Sequence, residues 1–173
     1  MTWTVKEINS TNTESKAIEQ YARKMNDIVN PYYKEGTMGF MTLGCYKRAL
    51  EESGQHVAFL WPKTCKNKNA ETCVGFAWAI DRKRPGSIKC VDPPFVQVKQ
   101  IVVENTHRGK KGGSALMNWL KNSKTDCNIA LQLMPNNTRA IGFYQKHGFI
   151  QKELIKTGAK KDRTEAVMSL HKS

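Results

Sequence analysis

Residues 95–120, FVQVKQIVVENTHRGKKGGSALMNWL, constrain the fold of this chain more than any other stretch. Phe95 to Val103 form a nearly continuous apolar, β-branched run, as suits a strand buried on both faces. The run meets a turn holding Gly109, Gly112 and Gly113, then enters a helix at 114–124 whose Ala115, Leu116, Trp119 and Leu120 share one face. A buried strand feeding a helix through a tight turn implies a mixed α/β arrangement.

The other segments fit that class. Residues 2–8 alternate around Trp3 and Val5 as a short strand does. From Ser15, the residues Ile18, Tyr21, Ala22 and Met25 recur at helical spacing, and Pro31 is expected to end the helix before it. A second helix is expected at 42–53, with Leu43, Tyr46 and Leu50 on one stripe and Gly54 as its stop. Between them, 30–41 sets Tyr32, Tyr33, Met38 and Phe40 among Pro31, Gly36 and Gly39, and reads as a loop that lines an entrance or packs under the domain. Strands at 56–61 and 73–80 form a hairpin around a long polar loop, and 81–94, with RKRPG and DPP, is a second loop. A strand at 128–134, a helix at about 138–147 and strands at 149–155 and 165–170 complete the order β α α β β β α β α β β. No repeat or linker divides it, so 1–173 is expected to form one α/β domain.

Charge and cysteine content narrow the partners. The net charge of +13 is uneven: Lys and Arg outnumber Asp and Glu by 13 to 9 before residue 87 and by 15 to 6 after it. Such a surplus attracts polyanions, whether nucleic acid, a phosphorylated cofactor or an acidic protein, and says nothing about fold. Two of its clusters, Arg82-Lys83-Arg84 and Lys160-Lys161-Asp162-Arg163, fall in loops. Cys45, Cys65, Cys73, Cys90 and Cys127 contain no C-x-x-C, which points to free thiols rather than a zinc knuckle or disulfide framework, although Cys65 and Cys73 flank one loop as a pair would. The opening MTWTVKEINS has no apolar signal core, and the longest apolar runs, such as VAFLW at 57–61, fall far short of the roughly 20 residues that cross a bilayer. A cytoplasmic protein in a reducing compartment, with no membrane partner, is the expectation. The sequons at Asn9 and Asn136 then read as chance matches.

The turn at 108–113 carries the first chemistry. Successive N–H groups beside an open helix N-terminus make an anion site, and Arg108, Lys110 and Lys111 add positive charge, so a pyrophosphate is the natural ligand. Neither G-x-G-x-x-G nor a Walker motif is present. The second stretch is LQLMPNNTRAIGFYQKHGFI at 131–150. There Asn137, Ala140, Phe143, Tyr144, Gly148 and Phe149 stand in the pattern N-x-x-A-x-x-F-Y-x-x-x-G-F. At this separation the two stretches resemble the GNAT superfamily of acetyl-CoA-dependent N-acetyltransferases, whose pyrophosphate motif is R/Q-x-x-G-x-G/A. RGKKGG, Arg108 to Gly113, fits its first and last positions. The likeness is residue-specific over about 95–150 and one of element order elsewhere.

The resemblance implies a mixed central sheet of about seven strands flanked by about four helices and splayed between the strands at 95–104 and 128–134. It implies acetyl-CoA as cosubstrate, no metal, and direct attack by an amine in a ternary complex. Carried over by position, it places the backbone of Ile101, Val102 and Val103 along the pantetheine arm. The N–H groups of Arg108, Gly109, Lys110, Lys111, Gly112, Gly113 and Ser114 cradle the pyrophosphate. Asn137 and Ala140 fall at the second cofactor contact, where Asn137 holds the thioester arm. Tyr144 faces the sulfur as general acid, a role open to a phenol because it is protonated at neutral pH. Cys127 and the other thiols are then structural.

Two departures stand out. Lys111 occupies the place of the family's central glycine, so either the turn accepts Lys there at about 1–2 kcal/mol or the glycine has slipped to Gly112. Gln97 stands where many of these enzymes present a Glu as base, which leaves Asp92, Glu104, His107, His147 or a water relay. Lys99 sits where the polyamine acetyltransferases carry a Glu, which argues against a polycationic acceptor. The rival reading is a GNAT scaffold without turnover that uses its basic surface to hold nucleic acid or an acidic partner. Metabolite amine, protein N-terminus, lysine side chain and aminoglycoside stay open as acceptors, to be sought around Tyr32, Tyr33, Met38, Phe40 and 156–164. Neither a coiled-coil seam nor a defined apolar patch sets an oligomeric state.

Overall fold

The computed structural model describes residues 1–34, 41–84, 86–158 and 162–171. In chain order the elements are β1 (Trp3–Glu7), α1 (Ser15–Lys34), α2 (Leu43–Glu51), β2 (Gln55–Pro62), β3 (Gly75–Arg82), β4 (Phe95–Val103), a 3-10 turn at Asn105–His107, α3 (Gly112–Ser123), β5 (Asn128–Leu133), α4 (Thr138–Lys146), β6 (Ile150–Thr157) and β7 (Arg163–Leu170). The order is the one the sequence pattern predicts. The strands form one mixed sheet in the order β1-β2-β3-β4-β5-β7-β6. By contact density the chain groups into two units, Met1–Ala79 with Gln100–Ser123 and Ile80–Lys99 with Lys124–Ser173.

In the first unit β1 runs antiparallel to β2 from Trp3↔Pro62 to Glu7↔Ala58. The helical stripe of α1 is buried from Ile18 to Tyr32, and Tyr21 lays its ring 4.5 Å from that of Phe59. Thr42 caps α2 by accepting from Cys45 N–H, and Tyr46, Ala49 and Leu50 turn inward. Leu116 of α3 joins Leu60, Val74, Ala77 and Val103 in a core cluster edged by Trp3, Ile101 and Trp119.

Contrary to expectation, α1 does not stop before Pro31 but carries it in its last turn. Proline there forfeits only the bond to the Asp27 carbonyl, because the residues after it belong to the helix end. Tyr32 offsets that loss: it is 2% exposed and its hydroxyl donates to Val103 O at 2.9 Å, with Asn105 Oδ1 at 3.0 Å. Tyr32 is therefore a buried anchor rather than part of an entrance loop, while Tyr33 is exposed. Gly36, Met38, Gly39 and Phe40 lie outside the described residues, as do Lys160 and Lys161.

In the second unit β4 pairs in parallel with β5 from Phe95↔Asn128 to Val98↔Leu131, and β4 continues as strand to Val103. Strand β7 lies antiparallel to both β5 and β6, with an irregularity between Gln151 and Glu153. The 81–94 segment is more than a surface loop, because Ile88 and Val91 are each 1% exposed and close over Phe95, Ala130 and Val167.

Candidate active site

The turn after β4 is built by contacts that local sequence does not announce. Glu104 N–H donates to Val74 O at 2.8 Å and its carboxylate meets Lys24 at 2.9 Å, which holds the end of the strand. Trp3 donates its indole N–H to Lys110 O at 2.7 Å, and Lys110 bends its ammonium back to Thr106 O at 2.8 Å. Arg108 stacks its guanidinium 4.1 Å above the Tyr32 ring, so Tyr32 helps position the turn's cation.

Lys111 has φ 64°, the left-handed region. The glycine has not slipped: Lys111 itself takes the conformation at the family's glycine position. Gly112 is kept for a different reason, since a Cβ on it would stand 2.8 Å from Leu60 Cδ2 and 3.4 Å from Trp3. Helix α3 therefore starts pressed against β1 and β2, where a larger residue would have to push the end of the Leu60 side chain aside. Ala115 N–H makes the first bond back into the turn, to Lys111 O, so the N–H groups of Gly112 and Gly113 fall in the part of a helix that has no intrahelical acceptor. Arg108 N–H is used by Asn105 O at 3.2 Å, and the row of donors that suits an anion starts at Gly109. On β4, Ile101 is half-buried, Val102 and Val103 are buried, and the Val103 carbonyl is the one that takes the Tyr32 hydroxyl.

In the other unit Asn137 is the N-cap of α4, its Oδ1 accepting from Ala140 N–H at 3.1 Å. That bond gives Asn137 a local capping role, and leaves the amide NH2 as the Asn137 group suited to a ligand. Tyr144 is buried, with Phe143 5.2 Å and Phe149 5.4 Å from its ring. Burial alone pushes its phenol well above the ordinary value of 10. Among the described residues its hydroxyl has no hydrogen-bond partner, so the site keeps an unspent O–H.

The candidate bases are exposed or engaged. Glu104 pairs with Lys24 and lies 3.7 Å from His107 Nδ1, Asp92 is exposed, and His147 stacks 4.7 Å from Phe143. Gln97 is 4% exposed and accepts from Arg82 Nε at 2.7 Å, which leaves it no proton-accepting role. The sequence reading missed Trp3, Tyr32 and Gln132 as contributors. The last accepts from both Gln97 Nε2 at 3.0 Å and Ser87 Oγ at 3.1 Å.

The family profile for the acetyltransferase (GNAT) domain matches residues 64–151, just over half of the chain. The chain belongs to the GNAT acetyltransferase family. Solved structures share the fold at low identity. NAA60 of Arabidopsis thaliana in complex with acetyl-CoA is 14% identical with a TM-score of 0.71, the match covering 98% of each chain. An N-acetyltransferase from Staphylococcus aureus Mu50 is 16% identical with a TM-score of 0.68, covering 98% of this chain and 97% of that one. The ribosomal-protein-S18-alanine N-acetyltransferase of Escherichia coli is 13% identical with a TM-score of 0.63, covering 98% and 93%. No curated protein sequence matches the chain.

All five cysteines of this GNAT chain are free thiols, so Cys65 and Cys73 do not pair. They differ in reactivity. The Thr42 hydroxyl, 3.3 Å from Cys45 Sγ, holds that thiol below the ordinary cysteine value, with Arg48 helping at 3.5 Å. Burial pushes Cys73 up to about 12, and its Sγ lies 3.2 Å from Ala70 O. Iodoacetamide at pH 8 should therefore label Cys45 first and Cys73 only on unfolding, as read by peptide mass spectrometry; equal rates would contradict the assignment. Because the folded value of Cys73 is raised, its contribution to stability is complete below about pH 9 and is lost as pH rises toward 12. Among the described residues no helix is long and apolar enough to cross a membrane, and no group of three His, Cys, Asp or Glu is placed to hold a metal.

Proposed function

We propose that residues 1–173 act as a single N-acetyltransferase domain that moves the acetyl group of acetyl-CoA to a primary amine by direct attack. The observation that carries this reading is the turn before α3. Lys111 accepts a left-handed backbone, and so a row of N–H groups from Gly109 opens beside Arg108 where a pyrophosphate would bind. A strained non-glycine residue held by Trp3, Glu104 and Tyr32 is a conformation the surroundings maintain at a cost of about 1–2 kcal/mol.

In this reading the backbone of Ile101 to Val103 lies along the pantetheine arm, and the Asn137 amide NH2 meets the arm near the thioester. As the amine nitrogen bonds to the acetyl carbon, the carbon–sulfur bond breaks and Tyr144 gives its proton to the departing thiolate. A phenol kept protonated by burial suits that donor role. The proton lost by the attacking nitrogen returns through water, since Gln97 offers no base. That NAA60 is seen with acetyl-CoA on the same fold supports the choice of cosubstrate. The free thiols agree with a reducing, cytoplasmic setting.

Calorimetric titration with acetyl-CoA at physiological salt tests it. The wild-type chain should bind with a micromolar Kd, Arg108→Ala should weaken that about tenfold, roughly 1.4 kcal/mol, and Lys111→Gly should bind at least as well as wild type. Absence of wild-type binding sinks the transferase reading.

A further inference from the structure

One face of the second unit carries hydrogen-bond donors without an acceptor. The register Gln97↔Ala130 and Gln132↔Val167 puts Gln97, Lys99, Gln132 and Glu165 on the side of the sheet that also bears Phe95 and Ala130. Arg82 can only donate, and its bond to Gln97 Oε1 fixes that amide, which makes Gln97 Nε2 the donor to Gln132. Gln132 Oε1, which also takes the Ser87 hydroxyl, is thereby fixed as acceptor. Its Nε2 is left buried with no partner among the described residues. Lys99 is half-buried and makes no ion pair or hydrogen bond among the described residues. Burial, followed by the positive charge of Arg82, holds its ammonium below the ordinary lysine value, with Glu165 opposing.

We propose that Arg82, Lys99 and the Gln132 amide bind a single carboxylate, and that the amine acceptor of this enzyme carries it. Every unmet group here donates, so the missing partner is an acceptor. Two cations against the one charge of Glu165 leave a balance that a monoanion neutralises, whereas a phosphate dianion overshoots it. Unpaired cations at this site repel polyamines. The assignment to the acceptor rests on the transferase reading above; the carboxylate site itself does not.

The test is titration of the full chain with glutarate, followed through the side-chain NH2 signals of Gln97 and Gln132 in 1H–15N spectra, with acetyl-CoA binding measured separately. Saturable shifts of the Gln132 signals at millimolar glutarate, kept in Lys99→Arg and lost in Lys99→Met, are expected. No shift at tens of millimolar, or an equal shift in Lys99→Met, overturns the site. Displacement of glutarate by CoA overturns its assignment to the acceptor, because the anion would then belong to the cosubstrate. Glutarate binding without acetyl-CoA binding keeps the site and sinks the transferase reading. Acetyl-CoA binding without glutarate binding does the reverse. In turnover, glutamate against glutamine and a peptide with Glu against Gln at its second residue separate metabolite from peptide N-terminus. The carboxylate member of one pair should be at least tenfold faster in kcat/KM, and parity in both pairs overturns the proposal.

Discussion

Tyr144→Phe should lower kcat on any accepted amine by about 10²–10⁴-fold, the range for losing a positioned proton donor, while acetyl-CoA binding stays within about threefold of wild type. The ring keeps its contacts with Phe143 and Phe149 in the variant, and the hydroxyl has no partner among the described residues to lose. Melting should therefore be unchanged near neutral pH, which makes a loss of turnover chemical rather than structural. If Tyr144 were only a core aromatic, kcat would not move. The pH dependence separates the cases further. Burial raises the phenol above 10, so it stays protonated and no alkaline limb from this group should enter kcat below about pH 10. Above that pH the unfolded chain ionises this tyrosine more readily than the folded one, so stability falls as pH rises. Tyr144→Phe should remove that part of the loss.

Gly75→Ala should destabilise the fold by about 3 kcal/mol, as overpacking against backbone does, and lower Tm by roughly 6–12 °C for a chain of this size. A Cβ on Gly75 would stand 2.6 Å from Val102 O and 3.2 Å from Val103 Cα, and neither atom can move without shifting β4. That is a harder constraint than at Gly112, where the nearest atom is the end of the Leu60 side chain. Urea unfolding should show a lower midpoint with an unchanged slope, and wild-type stability would mean that β3 and β4 lie farther apart than described. Because Val102 and Val103 are the residues assigned to the pantetheine arm, acetyl-CoA affinity should also drop at temperatures where the variant remains folded.

Most elements were legible because their periodicity is strong. Phe95–Val103 reads as a buried strand and Ile18 to Met25 as a helical stripe whatever surrounds them. Pro31 misled, since proline propensity forbids a helix interior but not a last turn tied down by a buried tyrosine. For the same reason Tyr32, read in a loop that lines an entrance or packs under the domain, lies in the helix, packs inward and positions Arg108 and the end of β4.

The turn proposed to hold the anion stands in the sequence as RGKKGG, and Asn137 and Tyr144 as a spaced motif, because the proposed roles are local: backbone donors at a helix start, a cap, a phenol on a helix. Whether Lys111 or Gly112 takes the left-handed backbone was not local. It depends on Trp3, more than a hundred residues away, which holds the Lys110 carbonyl, and on Leu60, whose side-chain end a Cβ on Gly112 would meet at 2.8 Å. The direction of the Arg82–Gln97–Gln132 chain was equally out of reach, since an amide can face either way until a donor-only guanidinium is brought against it. Sequence by itself determined the element types, their order and the family, which rest on short-range periodicity and spacing. The tertiary structure alone decided which donors are consumed and which remain for a ligand, because that depends on residues brought together from distant parts of the chain.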